Sequence, residues 1–184
     1  MSAERPDDAL TAGIEPPRPR PLVVTLALDD ASQDRLDALR RSHFPPGRNV
    51  VPAHVSLFHA VPGDYAEQVL VDVERGTRRP AFALDVGGVQ RLGRGTALRV
   101  HAPELAALHA ALSAAWQPWL TAQDRQPLRA HVTVQNRVSP EQARDTAQLL
   151  ERTVEPWAGR ALGVDLWTYL GGPWSHLRRL AFEA

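Results

Sequence analysis

The sequence predicts an α+β sandwich in which β-α-β units are mixed with antiparallel hairpins. Three features carry this expectation. Strand-length apolar runs alternate with helix-period segments from residue 21 onward. The runs at 81–91 and 96–101 are joined by a link too short to hold a helix. The strand-helix-strand order of the first half starts again near residue 96, which suggests two related lobes although the two halves share little sequence.

Residues 1–20 hold Asp7, Asp8 and four prolines with little apolar periodicity, and read as a disordered leader ahead of one domain at 21–184. Leu22 to Leu28 is an apolar, partly β-branched run of buried-strand length, after which Asp29 or Asp30 caps a helix ending near Ser42. The Phe44-Pro45-Pro46-Gly47 turn leads to a strand at Ala53–Val61, and Asp64 opens a helix with Val69, Leu70 and Val73 at core spacing. After the 81–91 and 96–101 strands, Pro103 starts a helix whose Leu105, Leu108, Leu112, Trp116 and Trp119 follow a 3.6-residue period. A strand at Arg129–Val138 comes next, and Ser139-Pro140-Glu141-Gln142 reads as a capping box with proline at the first helical position. Alternation from Leu162 to Leu170, a Gly171-Gly172-Pro173 turn and a strand near 176–182 form a closing hairpin.

The 184 residues fit one domain with a sizeable core, and the 21 basic and 21 acidic side chains cancel. Any anionic ligand must therefore be met locally rather than by a global field. All 21 basic residues are arginine, which excludes lysine Schiff-base chemistry and supplies planar forks suited to phosphate. The absence of cysteine excludes thiolate catalysis and Cys-ligated metal. There is no membrane-length apolar run and no signal-peptide stretch, so a soluble cytoplasmic protein is expected.

The chemistry centres on a pattern that occurs twice, as His54-Val55-Ser56-Leu57 and His131-Val132-Thr133-Val134. On a strand, alternation puts His54 with Ser56 on one face and His131 with Thr133 on the equivalent face, leaving the aliphatic neighbours to the core. If the halves pair about a pseudo-twofold axis, both imidazole-hydroxyl pairs face one cleft. Phosphodiester chemistry requires that set: a base for the attacking hydroxyl, an acid for the leaving oxygen on the opposite side, and hydroxyls for the non-bridging oxygens.

These two motifs, the second preceded by Pro127-Leu128-Arg129-Ala130, resemble the two-histidine (2H) phosphoesterase superfamily, and specifically its 2'-5' RNA ligase-like branch, over about residues 21–182. The Gly171-Gly172-Pro173-Trp174 turn is similar as well. The resemblance implies a bilobal α+β fold of duplicated β-α-β units, with antiparallel sheets lining a central cleft. It also implies metal-independent cleavage of 2',3'-cyclic phosphates or 2'-5' linkages, with reverse ligation in some members. His54 and His131 would be the acid/base pair and Ser56 and Thr133 the phosphate-binding hydroxyls, Ser56 standing where threonine is commoner. The expected protein is a monomer that needs no cofactor and no metal and acts on an RNA end or a small nucleotide. A non-catalytic nucleotide- or RNA-end-binding module using the same cleft is the alternative.

Other residues receive narrower expectations. Arg129 shares strand parity with His131 two residues away and is a candidate phosphate contact; Arg137 has the same parity but lies too far along an extended strand. His59 falls on the face opposite His54 in a regular strand, which argues against a shared metal. Ser56 lacks the Gly-x-Ser-x-Gly elbow of a covalent nucleophile. His43, His101, His109 and His176 are assigned structural or solvated roles. The six arginines among residues 75–99 either guide an anionic ligand or form a solvated face. Most of the five tryptophans are expected in the core, Trp174 being the open case as a base-stacking surface.

Overall fold

The computed structural model describes residues 19–183. Apart from Pro19 and Arg20, the expected leader lies outside the described residues. Seven strands and four helices follow in the order β1 (Leu22–Leu28), α1 (Asp30–His43), β2 (Val55–Val61), α2 (Ala66–Thr77), β3 (Phe82–Arg91), β4 (Thr96–His101), α3 (Pro103–Trp116), β5 (His131–Gln135), α4 (Pro140–Thr153), β6 (Trp157–Tyr169) and β7 (Trp174–Ala181). The expected α+β class is what forms, with β1-α1-β2-α2 repeated as β4-α3-β5-α4. No helix among these residues is long and apolar enough to cross a membrane.

The strands hydrogen-bond in the order β1-β2-β5-β4-β3-β6-β7, and a further β1–β6 pairing closes six of them into a ring. Every strand pairing in it is antiparallel. Closure depends on the length of β6, whose first residues pair with β3 while Ala161 to Thr168 pair with β1. A closed ring leaves little exposed strand edge, a stable solution for a sheet of this size. The sequence signal for β6 began only at Leu162, because after Trp157 the strand continues as Ala158, Gly159 and Arg160, which show no apolar alternation.

Local sequence explains the element ends. The Asp29 carboxylate accepts from the Ser32 backbone N–H at 2.9 Å and starts α1. Ser139 and Gln142 form the reciprocal capping box at α4 that the sequence predicts. The strand expected from residue 129 to 138 is shorter, because Arg137 adopts φ 59°, a left-handed conformation that ends pairing.

One β-α-β detail positions the site. A strand followed directly by a helix and another strand would pair in parallel, yet β1 and β2 are antiparallel. Residues 44–54 absorb the extra reversal by running back along α1, whose polar side grips them. Arg40 donates to the Asn49 side chain and the Val51 carbonyl, Asp37 accepts from the Ala53 N–H at 2.6 Å, and Gln33 donates to the Ala53 carbonyl. The chain thus enters β2 at His54 from a held segment.

The core face of the sheet reads across six strands as Leu180, Val164, Leu26, Val55, Val132 and Leu98, each at most 7% exposed. Val55 and Val132 are the middle residues of the two His-x-Ser/Thr motifs, so their burial aims the flanking histidines and hydroxyls at the opposite face. Trp116 is fully buried and donates its Nε1 to Asp72 at 3.0 Å, whereas Trp119, Trp157, Trp167 and Trp174 are only partly buried.

Candidate active site

The two motifs meet at a single register pair, Val55 opposite Val132, between antiparallel β2 and β5. In an antiparallel pair this places His54 beside Thr133 and Ser56 beside His131, with the pseudo-twofold axis between the two valines. His54 and His131 are then diagonal neighbours, about 7–8 Å apart at Cβ, a gap that accepts a phosphate group. The cleft-facing row continues through Thr25, opposite Ser56, and Arg99, opposite His131.

Each imidazole is fixed by a backbone carbonyl two residues upstream. His54 Nδ1 donates to the Pro52 oxygen at 2.8 Å, and His131 Nδ1 donates to the Arg129 oxygen at 2.7 Å. A carbonyl can only accept, so in each neutral ring Nδ1 carries the proton and Nε2 is left free to accept one. The repeated anchor is a second sign of duplication, and it escaped notice in the sequence because it depends on how the chain enters each strand.

The two rings differ in their surroundings. His54 packs on Trp174 with ring centroids 4.6 Å apart, the indole being brought over by the Gly171 turn, where φ is +95°. Burial pushes the His54 pKa down to about 4; the Pro52 carbonyl opposes this, and the charges of Arg40, His59 and His131 add to the fall. At neutral pH His54 is therefore uncharged. The folded value lies below the unfolded one, so stability is complete above about pH 6.5 and is lost as pH falls toward about 4. Burial lowers His43 and His109 as well, so they act in the same direction. The thermal midpoint is expected to drop between pH 6.5 and 4, and to drop less steeply in His54→Gln; equal slopes would contradict the burial of His54.

Of the three cavities among the described residues that border the motif residues, the two larger hold most of the motif side chains. One of about 480 Å³ holds His54, Thr133, Trp174, Arg48, Arg137 and Tyr169. The other, of about 400 Å³, holds Ser56, His131, His59, Asp124, Arg129 and Gln123. Arg129 thus stands beside His131 as expected from parity. Arg137 shares a cavity with His54 and Thr133, contrary to the distance argument, because the strand stops and the left-handed turn folds the residue back.

His59 requires a second correction. Parity in a regular strand sends it away from His54, but register shifts in the β1–β2 pairing turn it onto the cleft side with Ser56. It does not sit in a metal cluster: among the described residues no group of three or more His, Asp or Glu side chains could hold an ion. Of the histidines assigned structural roles, His109 is buried and stacks on Phe58, and His176 pairs with Asp165 at 2.9 Å.

Residues 28–173 match the family model of the 2'-5' RNA ligase superfamily. The chain belongs to that superfamily. Solved structures agree with the superfamily fold. Escherichia coli LigT complexed with 3'-AMP aligns with a TM-score of 0.63 at 19% identity, covering 90% of this chain and 99% of LigT. TT0787 of Thermus thermophilus aligns with a TM-score of 0.64 at 17% identity, covering 88% and 97%. A structure described as a phosphoesterase gives 0.63 at 18% identity, covering 90% and 99%. A search of curated proteins finds no match.

This 2'-5' RNA ligase superfamily member also uses a residue that sequence reasoning passed over. Arg40 is only 3% exposed, and its Nη1 donates to the Thr133 carbonyl at 2.6 Å while the same guanidinium holds Asn49 and Val51. It joins both halves of the site, lining the cavity that holds His54 and Thr133. The available signal was its place four residues after buried Leu36 on one helix face, where a charge is out of pattern. Arg99, from the basic 75–99 stretch, reaches the cleft row, whereas Arg75 pairs with Asp72 and Arg94 donates to the Val138 carbonyl.

Proposed function

We propose that residues 21–184 act as one bilobal, monomeric, cytoplasmic phosphodiesterase that cleaves, or in reverse joins, 2',3'-cyclic phosphate or 2'-5' linkages in RNA or small nucleotides. The observation that carries the reading is the Val55–Val132 register, which sets each imidazole beside the other motif's hydroxyl. Nucleotide chemistry is further supported by the structures of LigT, at 18–19% identity, complexed with 3'-AMP, NADP+ and ATP.

In hydrolysis, neutral His54 takes a proton at Nε2 from water as the water oxygen bonds to phosphorus. His131 gives its Nε2 proton to the ribose oxygen as the phosphorus–oxygen bond breaks. Ser56 and Thr133 donate hydrogen bonds to the non-bridging oxygens. Solvent then returns each ring to its starting state. Protons move only between imidazoles, water and substrate, so turnover is expected to persist with chelator present.

The test is incubation of the purified protein with adenosine 2',3'-cyclic phosphate and with 2'-5'-linked dinucleotides, with product identification. Tight binding without product would favour the binding-module reading instead. The acid limb of kcat/KM is expected near pH 4, set by His54. Trp174→Ala admits water to the His54 ring, so its acid limb is expected to move up toward about pH 6.5. An unmoved limb would show that the base is another group.

A further inference from the structure

Asp124 lies in the loop between α3 and β5, and its side chain is only 1% exposed. Burying a carboxylate is costly unless every lone pair is used. Here Oδ1 accepts from the His59 backbone N–H at 2.8 Å and from His59 Nδ1 at 3.0 Å, and Oδ2 accepts from the Ala60 N–H at 3.0 Å. Burial alone would raise this carboxyl; the hydrogen bonds from His59 and Ala60 reverse that and hold it below the ordinary carboxylate value. With Nδ1 committed to Asp124, the half-exposed His59 ring has one remaining polar atom, Nε2, and the ring lines the same cavity as Ser56 and His131.

The polar character of that cavity identifies its ligand. Asp124 is its only carboxylate and already accepts three hydrogen bonds. The Arg129 guanidinium has no partner among the described residues, and a proton on His59 Nε2 would make a second donor whose charge Asp124 balances. The cavity, about 400 Å³, extends past the reacting histidine rather than ending at it.

We propose that His59, positioned by Asp124, forms with Arg129 an anion subsite for a second phosphate of the substrate, one nucleotide removed from the reacting phosphorus. The inference rests on the phosphoesterase reading and narrows it: the substrates are RNA ends or nucleotides that carry a further phosphate beside the scissile one.

Adenosine 3'-monophosphate and adenosine 3',5'-bisphosphate, titrated calorimetrically into the full chain, test the subsite without requiring turnover. The bisphosphate is expected to bind about tenfold more tightly, the scale of one charge-assisted hydrogen bond. His59→Gln should bring the ratio of the two dissociation constants close to one. Asp124→Asn should lower it too, but this variant also loosens two backbone N–H groups, so His59→Gln decides. A ratio near one in the wild type, or an unchanged ratio in His59→Gln, overturns the proposal. Cyclic phosphate turnover measured alongside separates the two claims, since its absence with a His59-dependent ratio would remove the phosphoesterase reading and leave the anion subsite standing.

Discussion

Alanine at either His54 or His131 is expected to lower kcat on adenosine 2',3'-cyclic phosphate by about 10²- to 10⁴-fold, with a much smaller effect on KM. The reason is geometric. Each ring is held through Nδ1 by a carbonyl two residues upstream, which leaves Nε2 free, and the strand register sets the two rings diagonally across β2 and β5. In the proposed mechanism one ring accepts a proton and the other supplies one, so losing either member stops one proton transfer. Because the proposed mechanism uses both in a single transition state, the double variant should be little worse than the poorer single one. Steady-state kinetics at neutral pH measures this, and less than about a threefold loss in either single variant would remove that histidine from the mechanism.

Replacing Arg40 by methionine should have the largest effect on stability, about 3 kcal/mol in urea denaturation. The aliphatic part of the side chain is conserved in volume, but three acceptors lose their donor: the Thr133 carbonyl, the Asn49 side chain and the Val51 carbonyl. Partly buried acceptors left without partners account for the cost. Arg40→Lys should recover less than half of it, since an ammonium group cannot span three acceptors on two chain segments. Activity should fall with stability in both variants, because the same guanidinium holds the strand bearing Thr133 and the segment leading to His54. A methionine variant within about 0.5 kcal/mol of wild type would mean that these hydrogen bonds are not what holds the halves together.

Much of the fold could be read from residues in sequence. The Ser139 capping box, proline at the start of α3, and the apolar run of β1 are local signals, and each produced its element close to the expected limits. The reading failed where local pattern was overridden. The start of β6 carries little apolar alternation, and it is a strand because β3 lies alongside to pair with it. His59 and Arg137 were assigned by counting residues along an ideal strand, and a shifted register and a left-handed turn moved both. Arg40, Asp124 and Trp174 gave little or no usable signal, since their significance lies in partners 93, 65 and 120 positions away along the chain.

What the chain order determined by itself was the chemistry on offer: two strands, each with an imidazole and a hydroxyl one pleat apart, and an aliphatic residue between them to be buried. Alternation along a strand is a property of the backbone, and it needs no tertiary information. Tertiary structure alone decided how those groups meet, which ring is shielded by an indole, and that a third imidazole joins them. Strand register, close packing and desolvation arise only when distant segments exclude water together, so no local pattern of residues encodes them.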